Sequence, residues 1–234
     1  MSLHPENRNL KIIETEDGSS SLYVPSLNET YHSFHGALAE SRHVFIKEGL
    51  AHWHKTYGKT SAKILELGFG TGLNTILTVE YALRHSFPIH YDTLEAYPLE
   101  ASVAEKLNYP KLLQDDDLAT IFSHLHAAPW NEPVSIDTFF TLHKRNVMAE
   151  AFIAEASCYD VVFFDAFAPN KQAELWTVEI LEKFYRALAP EGILVTYCAK
   201  GQFKRDLKAI GYEVETLPGP PGKKEMVKAT KTGE

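Results

Sequence analysis

These 234 residues predict an α/β fold in which a mostly parallel, seven-stranded sheet carries helices on both faces. Three observations lead there. From residue 62 onward, short apolar runs with strand periodicity alternate with segments of helical periodicity, the pattern of crossover units. The first of those runs ends in glycines at 68, 70 and 72, directly before a helix. Apolar residues make up 44% of the chain and charged residues 23%, enough to bury a large core without metal or disulfide staples.

At the N-terminal end, residues 10–15 and 21–25 are strand-like runs around Asp17 and Gly18, which predicts a β-hairpin. Residues 36–57 predict an amphipathic helix with Leu38, Val44, Phe45 and Leu50 among its apolar positions. Residues 1–57 therefore read as a hairpin-and-helix extension and residues 58–234 as the main domain. Within the latter, strands are expected at 62–67, 90–96, 136–143, 160–165, 193–198, 212–217 and 225–230. Helices are expected at 70–84, 99–107, 111–126, 146–156, 174–188 and 201–210, the fifth stopping ahead of Pro190. Ligands of such open sheets bind beyond the carboxyl ends of the strands, so the residues after each strand are where chemistry belongs.

The strand that runs from Ile64 through Glu66 into Gly68, Gly70 and Gly72 lets a ligand approach the backbone, with Asn74 at the start of the next helix. A dinucleotide fingerprint wants glycine where Leu73 stands, and a Walker loop wants a Gly-Lys-Ser/Thr that does not follow. Glu95 closes the second strand, where a carboxylate either accepts two hydrogen bonds from a ribose diol or stays solvated. Asp165 follows a buried apolar strand, a costly place unless it is hydrogen-bonded or faces a ligand; an Asx-turn or helix cap is the other reading. Phe167 and Pro169 either wall a flat pocket or simply pack. Asn146 follows the third strand and offers donor and acceptor to an adenine edge, or caps the helix at 146–156.

A net charge of −8 argues against capture of nucleic acid or anionic membrane by bulk charge. No apolar run approaches the roughly 18 residues of a membrane span, and residues 1–8 lack an apolar signal segment, so a cytoplasmic location is expected. The 11 histidines show no metal-ligand spacing, and Cys158 and Cys198 form neither a disulfide framework nor a zinc pattern. No metal is expected.

An acid before Gly-x-Gly-x-Gly, here Glu66, resembles motif I of the class I S-adenosylmethionine (SAM) methyltransferases, a Rossmann-like fold. Further segments narrow the resemblance. They are Asp17-Gly18-Ser19, Tyr31-His32-Ser33, Gly36-Ala37-Leu38 and Glu40-Ser41-Arg42-His43-Val44-Phe45, then Phe164-Asp165-Ala166-Phe167-Ala168-Pro169, Leu175-Trp176-Thr177 and Pro190-Glu191-Gly192. That order is similar to the methyltransferase domain of the MnmC-type enzymes, which modify the wobble uridine of certain bacterial tRNAs. The resemblance covers roughly residues 10–230.

It implies SAM as cofactor, tRNA as substrate, and methylation of 5-aminomethyl-2-thiouridine to 5-methylaminomethyl-2-thiouridine. SAM would lie on Glu66, Gly68, Gly70, Gly72, Asn74, Glu95 and Asn146, with Asp165 catalytic. Tyr31, His32, Glu40 and Phe167 fall on the substrate side. The amine must attack in its neutral form, and an alkylamine has a pKa of about 10. Desolvation lowers that value while a nearby carboxylate raises it. Asp165 is therefore expected to orient an amine N–H, with the proton released to water. Two positions depart from the family pattern: Asn146 stands for an acidic adenine contact, and Gly219-Pro220-Pro221-Gly222-Lys223-Lys224 for a Gly-x-Gly-Arg-Lys segment.

Bifunctional family members carry a flavin-dependent oxidase domain. This chain ends at Glu234 without a second glycine-rich site, so a stand-alone methyltransferase without oxidoreductase activity is expected, with a separate oxidase or other tRNA-modification enzyme as a partner. Residues 200–231 hold eight Lys or Arg against four acids, and Lys204, Arg205 and Lys208 sit on a helix that begins at the ligand edge. They form either a track for RNA phosphates or a solvated helix face. Competing readings are a methyltransferase for small amines, a non-catalytic SAM-fold accessory protein, and an aminopropyltransferase, invited by Asp115-Asp116-Asp117, which also reads as a solvated helix face or turn.

Overall fold

The computed structural model describes residues 9–233, and the segment 1–8 that bears on localisation lies outside the described residues. β1 (Lys11–Glu14), β2 (Ser20–Val24) and β3 (Glu29–Thr30) form a small antiparallel sheet, the expected hairpin plus one short strand. Asp17 makes its turn: Oδ1 accepts from Thr15 Oγ1 at 2.8 Å and Ser19 N at 3.0 Å. Its Oδ2 reaches across to the N–H of Ala39, 2.9 Å away in α1 (Ala37–Ser41). Burial pushes the Asp17 carboxyl up, but the hydrogen bonds from Ser19, Ala39 and Thr15 outweigh it and hold the pKa low. Gly36 has φ +136°, and a Cβ there would stand 2.6 Å from Asp17 Oδ2, so a side chain would push this anchor apart.

α1 continues through a ten-residue π-helical segment, Arg42–Ala51, into α2 (His52–Tyr57), which ends on Gly58 in the left-handed region. Its buried residues fall in two pairs, Val44 with Phe45 and Gly49 with Leu50. They recur at a spacing of five, the interval of the wide turn. At Gly49 a Cβ would lie 3.0 Å from Val195 Cγ2, and Phe45 meets Phe163 at 5.2 Å between ring centroids.

The main sheet has eight strands rather than seven: β4 (Ala62–Leu67), β5 (Ile89–Leu94), β6 (Pro133–Asp137), β7 (Phe140–Arg145), β8 (Tyr159–Phe164), β9 (Leu188–Thr196), β10 (Tyr212–Pro218) and β11 (Glu225–Lys231). Their order is β10-β11-β9-β8-β4-β5-β7-β6. The inner pairs are parallel and the pairs β10/β11, β11/β9 and β6/β7 antiparallel. Side chains alternate between two cores: Val161 and Phe163 of β8 join one with Phe45 and Trp53, while Val162 and Phe164 join the other with Phe184 and Phe203. Chain order reverses where β4 lies between β5 and β8, and a crevice opens there beyond the strand ends.

Between the strands lie α3 (Leu73–His85), α4 (Ala101–Ala104), α5 (Tyr109–Leu113), α6 (Asp116–Ala127), α7 (Val178–Ala187) and α8 (Gly201–Ile210). Several expectations need correction. The strand expected at 136–143 is the hairpin β6/β7, bent where Asp137 Oδ1 accepts from Phe139 N at 3.1 Å. This turn adds the eighth strand. No helix forms at 146–156. The helix at 99–107 shrinks to α4, and Thr177 caps α7 after a 3₁₀ turn at Ala173–Trp176. The helix at 111–126 breaks at Gln114, whose φ is +54°. Asp115 then caps α6 by accepting from Asp117 N at 3.0 Å and Leu118 N at 3.1 Å. Asp116 and Asp117 follow in its first turn, where negative charge suits the helix dipole. Asp115→Ala should cost about 1 kcal/mol, read as a Tm lower by about 2–4 °C.

Candidate functional site

The glycine turn closes the carboxyl end of β4. Gly68 has φ +96° and a Cβ would meet the Asp165 carbonyl oxygen at 3.0 Å; at Gly70, φ +49°, it would meet the Tyr31 ring at 3.2 Å. Side chains at either position would strain the backbone and fill the floor of the crevice. Gly72 begins α3 and lies against His126 instead. Glu95 ties this turn to the loop after β5. Its Oε2 accepts from Gly70 N at 3.0 Å and its Oε1 from Tyr97 N at 2.8 Å.

Asp165 follows β8 and accepts from Asn74 Nδ2 at 2.8 Å. The Oδ1 of Asn74 is buried and has no hydrogen-bond partner in the protein. Burial first, then the neighbouring Glu40 charge, push the Asp165 pKa up to about 7, against the pull of Asn74 and Lys223. The segment after Asp165 is pinned from two sides. Tyr197 donates to the Ala166 carbonyl at 2.8 Å and Trp176 Nε1 to the Phe167 carbonyl at 2.7 Å.

A cavity of about 600 Å³ occupies the crevice, and Gly68, Gly70, Asn74, Glu95 and Asp165 line one side of it. Tyr31, His32, Glu40 and Phe167 line it from the N-terminal extension and the β8 loop. Tyr31 and Phe167 meet edge to face at 5.2 Å. His32 stands between Ser21 Oγ at 3.3 Å and Thr71 Oγ1 at 3.5 Å, and burial above all lowers its pKa to about 4. It is a neutral strut between the small sheet and the glycine turn.

Other predicted site residues lie outside the cavity. Glu66 is buried beneath the turn, where Oε2 accepts from Thr93 Oγ1 at 2.7 Å. Burial, reinforced by the Asp165 charge, raises its pKa to about 8. It supports the turn from within the sheet and is not among the residues that line the cavity. Asn146 neither caps a helix nor faces the cavity. Its Nδ2 donates to the Glu95 carbonyl at 2.9 Å, which holds the β5 and β7 loops together. On α8, Lys204 pairs with Glu225 at 3.2 Å and Arg205 donates to Gln202 at 2.7 Å. These two and Lys208 lie away from the cavity lining.

Lys223, which the sequence placed in a departing motif and in the basic 200–231 segment, lines the cavity, as do Tyr197 and Met148. The Gly222-Lys223 step was the signal, but nothing local shows that this loop folds over the crevice.

The pKa shifts define a pH dependence. The buried histidines stay neutral in the folded chain while about half of their unfolded counterparts are protonated at pH about 6.5, so below pH about 7.5 they add stability as pH rises. Glu66 and Asp165 act in the opposite sense: they hold protons in the folded chain that the unfolded chain releases near pH about 4, so their contribution to stability falls as pH rises from about 4 to about 8. Comparison with Asp165→Asn separates the two, and the Tm of the ligand-free wild type should fall relative to that of the variant as pH rises from about 5 to about 7.5. A Tm difference that stays constant over that range would contradict the burial of Asp165 as a charge-sensitive group.

A family profile described as S-adenosyl-L-methionine-dependent methyltransferase matches residues 126–232, a stretch that begins beyond the glycine turn. The tRNA 5-methylaminomethyl-2-thiouridine biosynthesis bifunctional proteins MnmC are similar in sequence. That of Pseudoalteromonas atlantica is 29% identical over 84% of this chain, and that of Ralstonia nicotianae 30% identical over 86%. The alignments take in 30% and 32% of those proteins, so the chain spans about a third of the length of the curated relatives. Among solved structures, MnmC2 from Aquifex aeolicus superimposes with a TM-score of 0.75 at 22% identity, covering 98% of this chain and 73% of that one. Spermidine synthase from Thermotoga maritima gives 0.54 at 16% identity, covering 100% and 82%. The fold is the Rossmann-like α/β fold shared with the S-adenosyl-L-methionine-dependent methyltransferases, whose family profile the chain matches over residues 126–232. Within that class the sequence is similar to the MnmC proteins.

Among the described residues no helix is long and apolar enough to cross a membrane, and no group of three or more His, Cys, Asp or Glu is arranged to hold a metal ion.

Proposed function

We propose that this domain transfers a methyl group from SAM to the 5-aminomethyl group of wobble (2-thio)uridine in tRNA, giving 5-methylaminomethyl-2-thiouridine. The observation that carries the reading is Asp165, hydrogen-bonded to Asn74 on the wall of a cavity that also opens onto the glycine turn. The names of the relatives supply the substrate class. An oxidase activity that uncovers the amine is the partner activity this reading calls for.

The residues present fit SAM. The backbone at Gly68 and Gly70 leaves a cradle that side chains would fill, and the buried Asn74 Oδ1 presents an unmet acceptor beside it. Glu95 would take the ribose hydroxyls while holding the turn through Gly70 N–H. When bound, SAM supplies an electrophilic methyl group on a sulfonium sulfur. The protein's part is to place a neutral amine in line with that methyl. Asp165 would orient the amine by accepting one N–H. With its pKa near 7 it can also take the proton, a larger role than orientation with release to water. Tyr31 and Phe167 would wall the site of the unstacked base.

Mass spectrometry of nucleosides from tRNA carrying 5-aminomethyl-2-thiouridine, after incubation with the protein and labelled SAM, tests the reading. The expected product is labelled 5-methylaminomethyl-2-thiouridine. Label found only on small amines would establish the small-molecule reading instead. For tRNA binding, Lys204, Arg205 and Lys208 remain the proposed phosphate track. Replacing all three by Ala should weaken binding and flatten the log–log salt slope by about 0.7–0.9 per lost contact, while SAM affinity holds. Unchanged tRNA affinity at low salt would place the RNA on another face.

A further inference from the structure

The loop between β10 and β11 brings a cation into a cavity whose walls are otherwise rich in carboxylates. Lys223 Nζ lies 2.5 Å from Glu40 Oε2 and 3.8 Å from the centre of the Tyr197 ring. The loop is closed by its own backbone, with Gly219 N to Lys224 O at 3.0 Å and Lys223 N to Pro220 O at 2.9 Å, and it packs on His35. Glu40 is almost wholly buried, its side chain 6% exposed, and its Oε1 accepts from Ser33 N at 3.1 Å. A surface ion pair needs neither the aromatic face nor the burial.

We infer that Lys223 sets the charge of the amine subsite: by neutralising Glu40 it leaves Asp165 to receive the substrate amine and keeps that amine in its neutral, nucleophilic form. The inference rests on the proposed methylation of the wobble amine. The amine lone pair forms the N–C bond as the methyl leaves sulfur with the bonding pair on sulfur. The surplus proton of the resulting secondary ammonium passes to Asp165 or to water. That sequence needs an amine without its third proton at the outset. Two unpaired carboxylates beside it would hold it as ammonium, whereas a fixed cation within the same cavity opposes that protonation. Lys223 does not itself touch the reacting atoms in this account. It is a positioning residue that acts through Glu40 and through its field.

The groups facing Asp165 come from every element around it: Glu40 from α1, Asn74 from α3, Glu66 from β4, Tyr91 from β5, Tyr197 after β9, and Lys223 from the loop. Around Lys223 stand Glu40, Tyr197, His32, His35 and Cys198. Lys223 is the cation among them.

Single-turnover methyl transfer to tRNA bearing 5-aminomethyl-2-thiouridine, followed from about pH 6 to about pH 10 in wild type, Lys223→Met and Lys223→Arg, tests this. Loss of one nearby charge should move the rising limb of the Lys223→Met profile up by about one pH unit and lower its rate near neutrality roughly tenfold. KM for the tRNA should stay the same. Lys223→Arg should restore the limb. The Asp165 carboxyl, followed by NMR titration in the chain alone, should titrate at higher pH in Lys223→Met. A higher KM with an unmoved limb would make Lys223 a phosphate contact and overturn the inference. So would an unmoved carboxyl with an unmoved limb. A wild type that leaves this tRNA unmethylated overturns the functional reading and the inference together.

Discussion

Asp165→Asn should slow methyl transfer by about 100- to 10,000-fold, the range in which a positioned proton acceptor acts, or roughly 3–5 kcal/mol of transition-state stabilisation. The fold should tolerate the change. Asparagine keeps the shape and an acceptor oxygen for Asn74 Nδ2, now at 2.8 Å from the carboxylate, and it removes a charge that burial disfavours. SAM affinity should therefore change by less than about tenfold, because the substitution touches the amine rather than the nucleoside end of the site. Single-turnover kinetics at saturating SAM, with calorimetry of SAM binding alongside, separate the two quantities. Equal losses in rate and in SAM affinity would make Asp165 a cofactor-positioning group. A wild-type rate would remove it from the reaction.

Glu95→Ala should weaken SAM binding by about 2–4 kcal/mol, taking two charge-assisted hydrogen bonds at about 1.5–3 kcal/mol each with partial replacement by water. The dissociation constant should then rise by about 30- to 1,000-fold. The structure adds a second cause to the loss of the ribose contacts. The same carboxylate restrains Gly70 and Tyr97 through their N–H groups, so its removal also loosens the turn. Glu95→Gln keeps one oxygen for Gly70 N–H and should lose about tenfold, between wild type and alanine. Calorimetry on the two variants, with thermal melts to confirm folding, measures this. If a folded Glu95→Ala binds SAM as wild type does, Glu95 serves the turn alone.

Much of the architecture was legible because it is written in local pattern. The run from Ala62 to Leu67 became β4 and the segment Gly201–Ile210 became α8 with the expected bounds, since each combines one clear periodicity with glycine at its boundary. The glycine turn, Glu95 and Asp165 were legible for a related reason. In a parallel sheet the residue after each strand arrives at one edge, and the alternation of elements is enough to bring those residues together. Locally weighted signals failed where two structures compete for the same residues. Asp137 turned an apparent strand into β6 and β7, and Val147, Ala149, Phe152 and Ala154 pack on the core without helix formation while Asn146 donates its amide to the Glu95 carbonyl. The amphipathic helix expected at 36–57 is π-helical over Arg42–Ala51, a difference not read from its apolar positions, and there Phe45 and Gly49 face Phe163 and Val195.

The sequence by itself determined the alternating order of strands and helices, the backbone freedom at Gly68 and Gly70, and the acids delivered to the sheet edge. These follow from dihedral preference, hydrophobic period and topology, which act over a few residues at a time. Only the tertiary structure decided how each acid is used. It buried Glu66 under the turn, left Asp165 in a cavity that raises its pKa, and paired Lys204 with Glu225 instead of presenting it to the site. It also placed Lys223 against Glu40, 183 positions away along the chain. Burial and charge fields depend on which surfaces meet, and no local period encodes a meeting between an N-terminal helix and a C-terminal loop.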